Sequence, residues 1–375
     1  MSLPPFCPYP SCRNHMKPQT HAWFRPYGFH QTKAFGLVPR FRCLDCGRTF
    51  STQTFSIDYY AKRIVDYHDL AGRHSGSMSL RGTARTIKAS CGTVQNRLER
   101  LDRQIIALQA DLRSKAAPTE SICIDGFVSF DGSQFFPSEI PIAISSDTQF
   151  VFDLSHASRR RSGRMTPSQK EKAKKLYAEI PIEKGGIQRG FRDILDSLSL
   201  CHPPLPGQPL SLITDEKLEY VRELHAHQLY LNRDADHRIE HRQVSSKVPR
   251  TRGNPLFSSN YIDREIRKDQ ANHHRETVCF SRNVANGMAR LSLYLFLHNY
   301  QKKFRIKDPV MADEVHAEKA GLPRQLIREG LRAAFKKRVF LSRISLTSTL
   351  ERIWKKDFVT PGLKTQRRPP AFAFG

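Results

Sequence analysis

Two acidic residues stand inside stretches that read as strands. Residues 121–130, Ser-Ile-Cys-Ile-Asp-Gly-Phe-Val-Ser-Phe, are a short apolar run with β-branched and aromatic side chains and Asp125 in the middle. Residues 210–215, Leu-Ser-Leu-Ile-Thr-Asp, form a second such run that ends on Asp215. An ionised carboxylate in a buried strand is costly unless a cation neutralises it. Two of them in a chain of formal net charge +25 point to a divalent-metal site that acts on nucleic acid. Each also has a plainer reading: Asp125 accepting backbone hydrogen bonds, and Asp215 capping the helix that follows it. Asp131 and Asp147 are weaker candidates for the first acid, because both fall in turns.

A second set of chemically capable residues lies near the start. Cys7 and Cys12 are followed by Cys43-Leu-Asp-Cys46 with Gly47 after it. Four thiolates in two close pairs can close a tetrahedral Zn²⁺ site, which leaves no open position and is therefore structural. The gap between the pairs is long, so His15, His21 or His30 could replace one thiolate. Trp23, Phe24, Tyr27, Phe29, Phe35, Phe41 and Phe50 would pack around the metal, the kind of staple so small a module needs.

These sites need elements to position them. Ala61, Ile64, Val65 and Tyr67 suggest a first helix, and Leu80, Ala84 and Ile87 a second. Ser90 is a candidate N-cap for a third, with Val94, Leu98 and Leu101 inward. Three helices with this short turn look like a helix-turn-helix. The third would present Ser90, Cys91, Thr93, Gln95, Asn96, Arg97 and Arg100 to base edges in the major groove; the alternative is a helical connector with a solvated polar face. From 121 the period changes. Strands at 121–130, 141–145 and 148–154, a helix carrying Phe191, Ile194, Leu195 and Leu198, the Asp215 strand and a helix over 216–227 make an α/β pattern with a mixed sheet. The basic run 158–175 is either a solvated face or a phosphate clamp. Residues 228–259 read as polar connection. A long helical tract from Asn260 and a helix carrying Met288, Leu291, Leu295 and Leu297 follow, then one or two helices and a tail, 364–370, expected to be disordered.

Composition narrows the class. Lys and Arg outnumber Asp and Glu by 61 to 36 over 375 residues, which favours a polyanionic partner, double-stranded DNA. No apolar run is long enough to span a membrane. The first residues lack the charged and apolar regions of a signal peptide, and the cysteines fit metal ligation better than a disulfide framework, so a cytoplasmic, nucleoid-associated protein is expected.

In the order of these parts, the chain resembles the bacterial DDE transposases, nearest to the class of insertion sequence one and its relatives. The strongest local match is Arg275-Glu-Thr-Val-Cys-Phe-Ser-Arg282 followed by His298-Asn-Tyr300, where the class carries Arg-Lys-Thr-x-x-Phe-Ser-Lys and an aromatic-rich helix. The resemblance covers residues 5–306. It implies a zinc ribbon (1–55), a helix-turn-helix (56–110), a linker (111–120) and a ribonuclease-H-like catalytic domain (121–306); the helical basic extension (307–375) has no counterpart in it. It implies catalysis by two Mg²⁺ ions held by Asp125, Asp215 and a third acid on a helix, and action as a homo-oligomer on paired DNA ends. The third acid departs from the pattern: the family's Glu falls on Asn260. Asp263, one turn further on, is the leading substitute, with Glu276 and Glu265 as alternatives; His274 and Arg275 are candidates for phosphate contact. The implied activity is DNA cleavage and strand transfer at element ends. The competing readings are a DNA-binding regulator with a decayed core and a structure-specific nuclease.

Overall fold

The computed structural model describes residues 3–116, 120–234, 238–274, 279–305 and 313–373. Three antiparallel strands open the chain, β1 (Phe24–Thr32), β2 (Gly36–Cys43) and β3 (Thr49–Ser51), in spatial order β1-β2-β3. Around them the four cysteines, Trp23 and Phe50 form a small separate core, with the Trp23 and Phe50 rings stacked at 5.6 Å. Tyr27 and Phe29 were expected in that core. They lie on the solvent face instead, because β1 is exposed along nearly its whole length.

Helices α1 (Tyr67–Ser75), α2 (Leu80–Thr86) and α3 (Cys91–Arg113) follow. The first was expected from about Ala61; it starts at Tyr67, where the Asp66 carboxylate accepts the amides of His68 and Asp69 and fixes the N-terminus. Ser90 caps α3 as expected, its Oγ accepting from the Thr93 amide at 3.1 Å, and Val94, Leu98 and Leu101 are buried. The long α3 runs to Arg113, so the stretch expected to be a linker begins inside a helix. Leu112 is fully buried, and the buried Arg113 guanidinium pairs with the equally buried Asp153. Tyr67, Leu70, Leu98 and Leu101 share one apolar core with Ile122, Phe191 and Leu212, so the three helices are packed onto the sheet domain.

That domain is built on β4 (Ile122–Phe130), β5 (Pro137–Ser145), β6 (Val151–Leu154), the short β7 (Ala157–Ser158), β8 (Leu210–Asp215) and β9 (Ile239–Val244). The order is β6-β5-β4-β8-β9, with β7 on β5. The β4–β5 and β5–β6 pairs are antiparallel, and β4–β8 and β8–β9 are parallel. An antiparallel meander extended by two parallel strands is the ribonuclease-H-like mixed sheet. The parallel strands need crossovers, supplied by α4 (Pro167–Glu179) and α5 (Gly186–Cys201) before β8, and by α6 (Leu218–Ala226) and α7 (Gln228–Leu231) before β9. Phe191, Ile194, Leu195 and Leu198 of α5 are buried against the sheet. The basic run is divided between an extended stretch and α4, which a Thr166–Gln169 capping box starts. Strand β9 was not expected: it is an edge strand with mostly outward polar side chains, so it lacks the apolar alternation that marks a strand.

Helices α8 (Phe257–Asp269) and α9 (Val284–Tyr300) cover one face of the sheet, with Ile262, Ile266, Met288 and Leu291 buried there. The tract from Asn260 is shorter than expected, since α8 ends at Asp269. The C-terminal part adds α10 (His316–Lys319), α11 (Arg324–Ala334) and α12 (Ser348–Lys355). Trp354 and Phe358 are buried in the same core as α8 and α9. The tail is held rather than loose: Gln366 donates to the Lys356 carbonyl, and Arg338 to that of Phe372.

Candidate active site

The register of the parallel pair decides where the acids go. Ile122, Cys123 and Ile124 of β4 lie beside Leu212, Ile213 and Thr214 of β8. The next residues along are Asp125 and Asp215, so the two sit side by side where β8 ends. Both are partly exposed. Helix α8 packs over β4 and β5 and brings the half-buried Asp263 close enough that Asp125 is the strongest charge acting on it. The three acids expected from sequence therefore share one region, although they are not drawn into a tight cage. Among the described residues, Cys7, Cys12, Cys43 and Cys46 are the only set of three or more His, Cys, Asp or Glu whose ligand atoms all lie within 4.8 Å of one another.

The plainer readings of the two strand acids also hold in part. Asp125 Oδ1 accepts from the Gly126 amide at 2.7 Å, and Asp215 Oδ1 accepts from the Lys217 amide at 3.2 Å at the start of α6. Those bonds leave the outer oxygen of each carboxylate for a cation. Burial, opposed by Lys217 and reinforced by Asp215, raises the Asp125 carboxyl above its usual range. Burial and then the charge of Asp125 push Asp263 up to about 7. Crowded, half-desolvated carboxylates of this kind suit a hard divalent cation, which favours oxygen donors.

Residues that the sequence reading did not assign to the site complete the region. Lys217 extends its ammonium to 3.2 Å from Asp215 Oδ2, 3.3 Å from Glu139 Oε1 and 3.8 Å from Asp125 Oδ1. Burial pulls its pKa down, but the three carboxylates outweigh that and leave it raised. Glu139, on β5, is fully buried. Its Oε1 accepts from the Tyr220 hydroxyl at 2.9 Å. Its Oε2 lies 3.0 Å from Arg159 Nη1, an ion-pair distance without hydrogen-bond alignment. Gly126 makes room for it, since a Cβ there would lie 2.5 Å from Glu139 Oε1. The signal was present: an acid in Pro-Ser-Glu-Ile-Pro-Ile, which opens β5, invites the same question as Asp125.

Other candidates are engaged elsewhere. Asp131 is buried and accepts from Ser158 Oγ at 2.6 Å and faces His156 at 3.0 Å, so it is structural. Asp147 lies in the turn between β5 and β6. Glu265 is buried against Lys268 and Lys302. Asn260 donates to the Leu256 carbonyl of its own helix at 3.0 Å. His274 is exposed just beyond α8. Glu276 and Arg275 lie outside the described residues.

The helix-turn-helix set is divided. Ser90 and Cys91 are exposed, and Thr93, Gln95 and Asn96 half exposed. Arg97 and Arg100, expected to face outward, are buried. Arg97 donates to the Arg63 carbonyl at 2.9 Å; Arg100 donates to the carbonyls of Ile57 and Tyr59 and lies over the Tyr59 ring. They satisfy the carbonyls of the segment before α1, a need that helical periodicity does not reveal.

In the ribbon, Cys7 and Cys46 Sγ are 3.7 Å apart, and Cys12 and Cys43 Sγ 3.6 Å. These separations are far too long for disulfides. They match the edge of about 3.8 Å expected for a tetrahedron with Zn–S bonds of about 2.3 Å. The four cysteines thus form a cluster able to hold zinc. The histidine alternatives fall away: His15 is bonded to the Cys7 carbonyl and to Ser342, and His21 and His30 are exposed.

No protein-family model matches the chain, and no curated protein does. Among solved structures, it is similar to a chain of a simian T-cell lymphotropic virus intasome in complex with PP2A regulatory subunit B56 gamma, at 12% identity and a TM-score of 0.29. The match spans 56% of this chain and 56% of that one. Among the described residues, no helix is long and apolar enough to cross a membrane.

Proposed function

We propose that this chain is a DDE-type DNA transposase, which cleaves and joins DNA at the ends of an insertion element. The observation that carries this reading is the pairing of Asp125 and Asp215 on adjacent parallel strands, with Asp263 approaching from α8, in a chain of net charge +25. Asp125, Asp215 and Asp263 are the residues that would hold Mg²⁺. When bound, magnesium supplies Lewis-acid activation of water or a 3′-hydroxyl and neutralises charge at the scissile phosphate. The strands fix two of the acids through backbone pairing, which limits reorganisation, and α8 delivers the third. Ser90, Thr93, Gln95 and Asn96 face DNA from the start of α3, and the basic run on and before α4 holds phosphates by charge. The ribbon, 1–55, is a structural zinc module, 56–110 carries the helix-turn-helix and 121–306 the catalytic core, and the active form is a homo-oligomer on paired ends.

The test is Mg²⁺- or Mn²⁺-dependent nicking and joining of DNA that carries the element's ends. Asp215→Ala should abolish both and retain binding; cleavage that survives in that variant overturns the assignment. A regulator with a decayed core is the second reading. It is favoured by Asn260 at the family's third-acid position and by the lack of a tight three-acid cage among the described residues. Specific binding of the ends without cleavage in any divalent metal would select it.

A further inference from the structure

The Lys217 ammonium lies among the acids that the proposed function assigns to metal. It is within 3.8 Å of three carboxylates on three different strands: Asp125 on β4, Glu139 on β5 and Asp215 on β8. Its backbone is fixed at the N-cap of α6, two residues past Asp215, so the amine reaches back over the strand end. Tyr220, one turn into α6, holds the same Glu139 oxygen at 2.9 Å and sits 3.4 Å from the amine. Arg159 anchors the other Glu139 oxygen, and Gly126 leaves the space through which the Glu139 side chain passes.

Glu139 is thus paired with protein cations and the Tyr220 hydroxyl through both oxygens, whereas the amine lies 3.2 Å from the outer oxygen of Asp215 and, more distantly, 3.8 Å from the Asp125 oxygen that the Gly126 amide also holds. We infer that Lys217 is a resident counter-cation, which competes with divalent metal for Asp125 and Asp215, and that Glu139 is the site to which its amine withdraws when metal enters. Lys217 and Glu139 are positioning residues in this scheme. Without metal, the ammonium offsets the repulsion of the paired acids. With metal bound, the like charge of the ammonium is tolerated because Glu139 and the Tyr220 hydroxyl, already 3.3 and 3.4 Å from it, retain it as it leaves the aspartates. The competition is between cations for the same oxygens, so it sets the threshold of metal loading before any DNA is present.

This inference rests on the metal-site reading, and the experiment separates the two. Free Mn²⁺ is followed by electron paramagnetic resonance during titration of the full-length zinc-loaded protein and of Lys217→Gln, Lys217→Arg, Glu139→Gln and Asp215→Asn. Lys217→Gln should bind Mn²⁺ about tenfold more tightly, because one positive charge has left the site. Lys217→Arg keeps the charge and should not tighten binding. Glu139→Gln should weaken it, since the amine then rests on the two aspartates. If Lys217→Gln fails to fold, the Glu139→Gln and Lys217→Arg results decide. Mn²⁺ binding that Asp215→Asn removes but Lys217→Gln leaves unchanged or weaker overturns the counter-cation role alone. Binding that Asp215→Asn does not affect overturns the metal-site reading, and the counter-cation role with it.

Discussion

Gly126→Ala is a small change at a place where the structure leaves no room. The added Cβ would lie 2.5 Å from Glu139 Oε1 and 2.6 Å from both its Cδ and its Cγ. Ordinary carbon contacts are about 3.5–4.0 Å, so Glu139 would have to move by about an ångström. The near atoms include the middle of the side chain, so a swing of the carboxylate alone does not relieve the clash. Glu139 is also tied to Tyr220, Arg159 and Lys217. Overpacking of this kind costs about 1–3 kcal/mol. The assay is a double-mutant cycle in urea, with Gly126→Ala, Glu139→Ala and the pair. Once Glu139 is truncated the clash is gone, so Gly126→Ala on that background should cost about 0.5 kcal/mol or less, leaving a coupling of about 1–3 kcal/mol. Additive costs would refute the claim that Gly126 is there to admit Glu139. A normal stability for Gly126→Ala alone would refute it more directly.

Three further outcomes are expected. The four cysteines together should hold one zinc and the Cys43→Ser variant none, read by metal analysis after dialysis, and the variant's ribbon should show fast amide exchange while the sheet domain keeps its protection. Arg100→Ala should destabilise the fold by about 2–4 kcal/mol, because it leaves buried carbonyls without a donor, whereas Thr93→Ala should leave thermal stability nearly unchanged and weaken DNA binding in a mobility-shift assay. The third outcome concerns pH. The Asp263 carboxyl, raised to about 7 by burial and by Asp125, binds a proton in the folded state that it releases near pH 4 when unfolded. Stability of the metal-free protein should therefore fall as pH rises from about 4 through about 7. Asp125 shifts in the same direction. Asp263→Asn should flatten the pH dependence of the melting temperature, and an unchanged slope would count against the placement of Asp263.

Local chemistry is what the amino-acid order carried by itself. The Cys7, Cys12, Cys43 and Cys46 set, the Ser90 cap, the Phe191–Leu198 stripe and both acid-bearing strands could be read because each depends on neighbours a few residues away or on a fixed ligand spacing. The mixed sheet was legible as a class from the change of period at residue 121. Strand β9 was not, because its pairing with β8 places few apolar side chains inward and leaves no periodicity to detect. Tertiary contact alone decided the rest. Arg97 and Arg100 turned inward because carbonyls more than thirty residues earlier in the chain needed donors. Glu139 and Lys217 joined Asp125 and Asp215 only when β4 took β5 on one side and β8 on the other. Charge in water interacts weakly along a chain, but burial beside a few fixed partners makes it strong. Which charges become buried together depends on strand order.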